Sequence, residues 1–218
     1  MVDGGGSDDR RVSGTLRTRR IARNRQRLVE VALPAFAELG YDGVTVDRLC
    51  DEAEVSKRTF FRYFAGKEDL ALTPLNDVWR TLIADLDGVL DRRGLLLDVV
   101  GEALGDVVER MPDGWERLAV LSTRLSATTP AIDAAAYLTC ERFTRQVLDA
   151  VTGRLAGRPD ADLVARVVCA AAIAVHRAAL DTWASRPGAE RTATRAELRA
   201  LLRAGFTDAR TALAVRLD

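Results

Sequence analysis

Residues 45–64, TVDRLCDEAEVSKRTFFRYF, decide the fold. Thr45 and Ser56 are residue types that cap helix N-termini, and each stands just before apolar residues with helical spacing. We therefore predict two short helices, 46–53 and 57–64, joined by a tight turn at Glu54 and Val55. Helices this short must share one small core, which the apolar residues of both can form: Val46, Leu49, Ala53, Val55, Phe60 and Phe64.

The second of these helices has a basic and aromatic outer face. With Phe60 and Phe64 turned inward, the other side chains lie on outer faces: Lys57, Arg58, Thr59, Phe61, Arg62 and Tyr63. An α-helix fits the major groove of B-DNA, where Lys and Arg donate to guanine and where Thr or an aromatic edge contacts the thymine methyl. Tyr and Lys at the rim can hold phosphates. The pattern predicts a recognition helix for double-stranded DNA.

The net charge of zero conceals an uneven distribution. Between Arg10 and Lys67 there are 13 basic and seven acidic residues, whereas 19 basic and 22 acidic residues follow Lys67. Both lysines of the chain, Lys57 and Lys67, lie in or beside the predicted recognition helix. A small basic module ahead of a larger acidic one predicts a polyanionic partner at the N-terminal end alone.

The residues ahead of the motif predict a long helix and a basic arm. A helix is expected from near Thr18 to Gly40, with a local kink at Pro34, because proline inside a helix removes a backbone hydrogen bond. Residues 1–16 are rich in Gly, Ser, Asp and Arg, and we expect a flexible basic arm there. Such an arm can lie along phosphates or enter a minor groove, or it can be a solvated tail, and both alternatives stay open.

Over about residues 18–70 the chain resembles the headpiece of TetR-family transcriptional regulators. The resemblance is carried by Gly40-Tyr41-Asp42, Thr45-Val46, Val55-Ser56, the run from Thr59 to Phe64, and Lys67-Glu68-Asp69-Leu70. It implies that Thr45, Tyr63 and Lys67 hold phosphates and that Lys57, Arg58, Thr59 and Phe61 face bases. Together the two arguments predict these DNA-binding residues: Thr45, Ser56, Lys57, Arg58, Thr59, Phe61, Arg62, Tyr63 and Lys67.

Glu54 departs from the family pattern. The family usually has Gly in this turn, so a non-Gly residue there requires a strained or altered turn geometry. An acidic side chain near DNA is also mildly unfavourable. The departure concerns the geometry of the turn and leaves the rest of the motif intact.

The remainder of the chain predicts long helices separated by Gly and Pro, near residues 67–87, 94–110, 113–127, 130–156, 160–185 and 194–215. No segment shows the two-residue alternation of a strand. The predicted fold is all-α: a three-helix helix-turn-helix headpiece over 17–67 and a larger helical ligand-binding and dimerisation domain over 68–218, with about nine helices.

The last two of these helices predict a homodimer. The stretch 163–183 is apolar almost all round and rich in alanine, so it must be covered on every side. Pairing it and the last helix with their symmetry mates would form an isologous four-helix interface. The expected interface residues are Ala172, Ala179, Leu180, Trp183, Leu198, Leu202, Phe206 and Leu213. The alternative is that these faces pack only within one chain.

A ligand cavity needs apolar walls with a few polar groups, and the C-terminal helices offer both. The candidate lining residues are Trp79, Leu82, Leu86, Trp115, Leu118, Ser122, Arg124, Leu125, Tyr137, Phe143 and His176. Each of them is also compatible with ordinary core or surface. Arg124 is a candidate anionic anchor. Residues 111–117 and 125–130 resemble the mycofactocin-regulator-like branch of the family, which implies an acyl-CoA-like effector in a long apolar tunnel with Arg124 or another arginine at its mouth.

The favoured function is that of a cytoplasmic transcriptional repressor, a homodimer released from a palindromic operator by a small apolar or acyl-type effector. A DNA-binding adaptor without an effector is the alternative. An enzyme is disfavoured, because there is one histidine, no Gly-rich phosphate loop and no metal-ligand spacing. We expect no cofactor, no metal and no membrane partner. Cys50, Cys140 and Cys169 are far apart, which favours buried thiols over a disulfide.

Overall fold

The computed structural model describes the backbone of residues 8–212 and the side chains of residues 19–212. The chain divides into two compact units, with the boundary between Ala71 and Leu72. Twelve helices lie in the described residues, nine of them with seven or more residues, and no strand lies among these residues. The predicted all-α fold with about nine helices is confirmed.

The N-terminal unit contains four helices: α1 (Asp8–Leu39), α2 (Val46–Glu52), α3 (Lys57–Tyr63) and α4 (Lys67–Ala71). Helices α2 and α4 both pack against α1, and α3 packs against α2. The shared core is fully buried and includes Leu28, Phe36, Leu49, Phe60 and Leu70. Because these side chains come from all four helices, none of the short helices has to be stable by itself.

Helix α1 begins earlier than the sequence predicts. It starts at Asp8 rather than near Thr18, so residues 8–16 are helical instead of a flexible arm, and residues 1–7 lie outside the described residues. Extending an existing helix adds one hydrogen bond for each residue fixed, and arginine is a good helix former. The helix also continues through Pro34, where the buried side chains of Leu33 and Phe36 hold it against its neighbours.

The C-terminal unit contains eight helices: α5 (Thr73–Ala84), α6 (Leu86–Leu90), α7 (Leu96–Glu109), α8 (Trp115–Thr128), α9 (Pro130–Arg154), α10 (Ala161–Ser185), α11 (Ala189–Thr192) and α12 (Arg195–Ala212). The single helix expected over 67–87 is wrong, since α4, α5 and α6 divide it. Pro74 has no N–H to donate and is best tolerated in the first turn of a helix, which is where it lies in α5. Gly88, which directly follows the predicted span 67–87, lies inside α6.

The core of the C-terminal unit lies between α7, α10 and α12. The buried side chains of Leu104, Trp183 and Leu202 meet there. A Cβ at Gly101 would lie 2.6 Å from Cγ of Phe206, so this glycine allows α7 and α12 to approach closely. The Trp115 ring stacks on Trp183 with centroids 5.9 Å apart, which joins α8 to the same core.

Helix α10 is long and apolar enough to cross a membrane by length and composition, with a mean hydropathy of 1.8 over its most apolar window. In the fold it is a core helix that packs against α7, α8, α9 and α12. A helix covered on several sides needs the same apolar composition as a membrane span. The hydropathy of α10 therefore follows from its central position.

Candidate DNA-binding surface and effector cavity

Two capping side chains set the start of α2 and of α3. The backbone N–H of Arg48 donates to Thr45 Oγ1 at 3.2 Å, and that of Thr59 donates to Ser56 Oγ at 3.1 Å. Each cap is worth about 1 kcal/mol. Thr45 and Ser56 are both exposed, so they fix the helix ends while remaining accessible from outside.

The turn between α2 and α3 is a left-handed helix end built around Glu54. Glu54 has φ 55° and is the one residue other than glycine with a positive φ in the described part of the chain. The N–H of Val55 donates to the Cys50 carbonyl at 2.9 Å, and that of Glu54 donates to the Asp51 carbonyl at 3.2 Å. This pair of bonds is the Schellman motif, in which the left-handed residue is usually Gly. The altered geometry expected at Glu54 is thus present.

An ion pair accompanies the strained residue. Arg27 of α1 lies 3.1 Å from the Glu54 carboxylate, and both side chains are largely exposed. An exposed pair of this kind is worth at most about 1 kcal/mol, comparable to the cost of a non-glycine residue in the left-handed region. Arg27 also neutralises the negative charge that Glu54 would otherwise present beside the recognition helix.

The outer face of α3 brings most of the predicted DNA-binding residues together. Lys57, Arg58, Phe61 and Arg62 are exposed, whereas Thr59 and Tyr63 are half-buried. Phe61 is 58% exposed although it is a large apolar side chain. A phenyl ring held in water at the centre of a cationic face is unfavourable in the free protein, and it suits a surface that is covered on binding.

Several of these side chains are held in place by neighbours. The Arg62 guanidinium lies 5.0 Å from the centre of the Tyr63 ring and donates to its hydroxyl at 2.9 Å. Lys57 pairs with Asp47 of α2. Arg58 makes no hydrogen bond or ion pair with another described residue, so its guanidinium is fully available to a partner.

Lys67 has an intramolecular role that sequence analysis missed. Its ammonium donates to the Tyr41 carbonyl at 2.8 Å and to the Val44 carbonyl at 2.7 Å, and it lies 4.1 Å from the centre of the Tyr41 ring. The Tyr41 hydroxyl bonds to Glu68, and burial together with this carboxylate raises the tyrosine pKa. Lys67 therefore ties the α1–α2 connection to α4, and one of its three N–H groups remains for a phosphate.

Comparisons with known proteins agree with this geometry. The family described as bacterial regulatory proteins, tetR family, matches residues 28–73, and the MftR C-terminal domain matches residues 95–208. The HTH-type transcriptional regulator TcmR of Streptomyces glaucescens is 31% identical over 173 residues, covering 77% of this chain and 76% of that protein.

The chain belongs to the TetR family of transcriptional regulators.

Other relatives extend this assignment. A Mycobacterium tuberculosis protein described as the mycofactocin biosynthesis transcriptional regulator MftR is 28% identical over 158 residues, covering 71% of this chain and 76% of that protein. A crystal structure of a TetR-family regulator from Syntrophomonas wolfei shares the fold at a TM-score of 0.55 and 17% identity, covering 90% of this chain and 97% of the other. This TetR-family protein is therefore a DNA-binding, non-enzymatic regulator with an MftR-type C-terminal domain.

An apolar cavity of about 30 Å³ lies in the C-terminal unit of this TetR-family chain. Four of the predicted ligand-binding residues line it: Trp79, Leu82, Leu86 and Phe143. Two thiols that sequence analysis did not place there, Cys140 and Cys169, line it as well, and burial raises the pKa of both. A volume of this size holds about one or two waters, so a larger ligand requires the walls to move.

His176 lies on a second cavity of about 140 Å³, which also borders Trp79 and Cys140. The remaining predicted ligand-binding residues line neither cavity: Trp115, Leu118, Ser122, Arg124, Leu125 and Tyr137. Of these, Tyr137 is 60% exposed, and the indole N–H of Trp115 donates to the Pro74 carbonyl at 2.9 Å. Their helical spacing matched a cavity wall, but packing placed them in the core or on the surface.

Arg124, the predicted anionic anchor, lines neither cavity, and its guanidinium has partners within the chain. Its guanidinium donates to the Ala184 carbonyl at 2.9 Å and to the Arg186 carbonyl at 3.0 Å. These carbonyls lie at the C-terminus of α10, where the unpaired carbonyls and the helix dipole favour a cation. Arg124 therefore stabilises a helix end.

The predicted dimer-interface residues are also wrong for the described part of the chain. They are buried within a single chain and cannot face a partner: Ala172, Ala179, Leu180, Trp183, Leu198, Leu202 and Phe206. Leu213 lies outside the described residues. Because α10 is apolar almost all round, its sequence does not distinguish the face that packs inside the chain from the face that is left exposed.

Proposed function

We propose that this TetR-family regulator represses transcription by binding an operator, and that a small apolar or acyl-type effector in the C-terminal unit releases it. The observation that carries the proposal is the outer face of α3, where Phe61 is exposed among Lys57, Arg58 and Arg62. Cationic and aromatic side chains on one accessible helix fit the major groove. The MftR-type domain supports the effector half of the proposal.

The proposed DNA contacts follow from exposure and local geometry. Lys57, Arg58, Thr59 and Phe61 face bases, while Arg62 and Tyr63 at the end of α3 hold phosphates. Thr45 and Ser56, at the first turns of α2 and α3, place backbone N–H groups towards phosphates. The third N–H of Lys67 adds a contact on the same side of the unit.

A second copy of the chain is the proposed partner of the exposed α10–α12 face. Leu163 is 65% exposed and Val167 is 45% exposed on α10. With Val167, the small residues Ala170, Ala174, Ala209 and Ala212 line a shallow apolar groove between α10 and α12. Small residues allow close helix approach, and a two-fold pair of such faces forms an isologous four-helix interface. The same symmetry suits a palindromic operator with half-sites one DNA turn apart.

Sedimentation of the full chain tests the dimer. We expect a dimer at micromolar concentration and a monomer for Val167→Glu, which places a charge in the groove. Leu163→Glu lies nearer the end of α10, so we expect it to weaken the dimer less than Val167→Glu does. A wild-type monomer at that concentration would contradict this part of the proposal.

Selection of bound sequences from a random DNA pool tests the DNA half. Enrichment of a palindrome is expected, and its loss in Arg58→Ala and Phe61→Ala variants would place the contacts on α3. The selected operator is then challenged with acyl-CoA thioesters and with uncharged apolar compounds. The effector can shift binding by no more than its differential affinity for the two conformations.

The alternative function is a DNA-binding regulator or adaptor without an effector. The small apolar cavity favours this alternative, since about 30 Å³ is well below the roughly 300–1,000 Å³ of established ligand pockets. Release of the operator by any compound of the panel would exclude it. In either case we place the protein in the cytoplasm, where its operator is accessible.

A further inference from the structure

Three buried side-chain atoms in the C-terminal unit have no hydrogen-bond partner among the described residues: Oγ1 of Thr144 on α9, Nδ2 of Asn76 on α5 and Nε2 of His176 on α10. Thr144 lines the apolar cavity, and the other two belong to residues that are only 5% (Asn76) and 3% (His176) exposed. Leaving a buried donor or acceptor unpaired is costly, because the group has given up its water partners and gained none in exchange. Two such groups in one cavity therefore call for an explanation, and a ligand with matching polar atoms is one.

Asn76 and His176 both line the second cavity, of about 140 Å³, which lies between α5, α8, α9 and α10. The His176 imidazole is fixed there by an edge-to-face contact with Trp79, whose ring centre is 5.1 Å away. The cavity is large enough for several non-hydrogen atoms, and its wall combines apolar side chains such as Leu75 and Leu180 with polar ones that include Asn76 and His176. This is the composition of a site that orients a ligand.

The charges around the cavity are already balanced or negative. Arg177 at its edge pairs with Asp133 at 3.1 Å, and Asp181 adds a further carboxylate. Arg124 is committed to the end of α10. Burial lowers the pKa of His176 to about 4, so its ring is neutral at pH 7. A carboxylate or phosphate would therefore find no free cation here, whereas an uncharged hydrogen-bonding group would find two partners.

Trp79 and Cys140 line both this cavity and the apolar one. The two cavities are therefore neighbours that share these side chains as part of their walls. An apolar compartment beside a polar one matches a molecule with an apolar body and one polar end.

We propose that the effector is an uncharged amphiphile whose hydroxyl, carbonyl or amide group hydrogen-bonds to Asn76 and His176 while its apolar body enters the cavity beyond Trp79. This rests on the proposed function, because it identifies the chemistry of the effector that the C-terminal unit senses. The Asn76 amide offers both a donor and an acceptor, and the neutral imidazole offers one of each. An anionic amphiphile such as a fatty acid is disfavoured, because Arg177, the cation that lines the cavity, is already paired with Asp133 and Asp181 adds a negative charge.

Because His176 is the one histidine of the chain, its imidazole ¹⁵N resonances report on this cavity alone. The full-length protein is titrated with decanamide, 1-decanol and decanoate. Decanamide and decanol are expected to shift the Nε2 resonance and to bind at least tenfold more tightly than decanoate. Equal or tighter binding of decanoate, or no shift with any of the three, would overturn the proposal.

Two variants separate the polar end from the apolar body. Asn76→Leu is expected to weaken decanamide binding about five- to tenfold, the effect of one neutral hydrogen bond, and to raise the melting temperature of the free protein, because it removes an unpaired amide. Leu82→Ala, in the apolar cavity, is expected to weaken both neutral probes alike. An unchanged decanamide affinity in Asn76→Leu, or a lowered melting temperature, refutes the role of Asn76.

Operator binding is measured on the same samples. If the protein binds its selected operator and an anionic compound releases it, this inference is overturned and the proposed function is left intact. If no operator is selected from the DNA pool, the proposed function is refuted, whether or not the three probes shift the His176 resonance.

Discussion

Acidification is expected to destabilise the C-terminal unit through His176. The imidazole is buried, and burial lowers its pKa from 6.5 to about 4. Between these two pH values His176 is protonated in the unfolded chain and neutral in the folded chain. The contribution of the neutral ring is complete above pH 6.5 and is lost as the pH falls towards 4. At 1.36 kcal/mol for each pH unit over this window, the free energy of unfolding falls by about 3 kcal/mol.

The charged groups around the cavity modify this value without changing its sign. Asp133 and Asp181 would attract a proton on the ring, and Arg177 would repel it. These side chains lie at the edge of the cavity, where water screens them, while the ring itself is buried. Burial is therefore the dominant influence, and it favours the neutral form.

Urea unfolding followed by tryptophan fluorescence measures the effect. All three tryptophans, Trp79, Trp115 and Trp183, lie in the C-terminal unit, so the signal reports its unfolding alone. The free energy of unfolding is determined at several pH values between 7 and 4 for the wild type and for His176→Leu, which cannot titrate there. The difference between the two proteins should change by about 3 kcal/mol over this range. A difference that stays constant would show that the ring is not held neutral in the folded chain.

Three further perturbations test particular contacts. Glu54→Gly relieves a left-handed backbone at the loss of one exposed ion pair, so we expect the N-terminal unit to gain up to about 1 kcal/mol by circular dichroism and to bind its operator more tightly. Trp115→Phe leaves the Pro74 carbonyl without its donor and should lower the free energy of unfolding by about 1–2 kcal/mol. Arg124→Met removes two bonds to the end of α10 and should cost about 1–3 kcal/mol without changing effector affinity, measured by calorimetry.

Matched variants and opposite outcomes make these tests decisive. Glu54→Gln removes the charge and keeps the side chain, so a gain in stability equal to that of the glycine variant would contradict the strain argument. Unchanged stability of Trp115→Phe would mean that its hydrogen bond contributes nothing. If Arg124→Met abolished the binding of an anionic effector, Arg124 would be an anchor for that effector and its role would not be limited to the end of α10.

The headpiece was predictable because its determinants are local. The caps Thr45 and Ser56 and the apolar spacing from Leu49 to Phe64 act within a few residues, and each is visible as a residue type at a fixed offset. The unusual backbone at Glu54 was predictable from the resemblance, since the TetR family usually has Gly at this position of the turn. Its partner Arg27 was not, because that contact spans 27 positions of the chain.

The C-terminal unit shows where local patterns stop being informative. Helix α10 carries apolar side chains on nearly every face, so its periodicity does not identify the buried side, and the predicted interface fell on residues such as Trp183 that are buried inside the chain. Arg124 looked like a ligand anchor because it interrupts an apolar stripe. The carbonyls that it caps are 60 and 62 positions away.

By itself, the sequence determined that the protein is all-helical, that its basic N-terminal module is a helix-turn-helix, and which α3 residues face outward. These properties depend on caps, turns and periodicity within single helices. Tertiary structure alone decided which face of α10 stays exposed, that Arg124 caps the C-terminus of α10, and that Asn76 and His176 line one cavity. Such features arise where distant helices pack against each other, and no spacing within one helix encodes them.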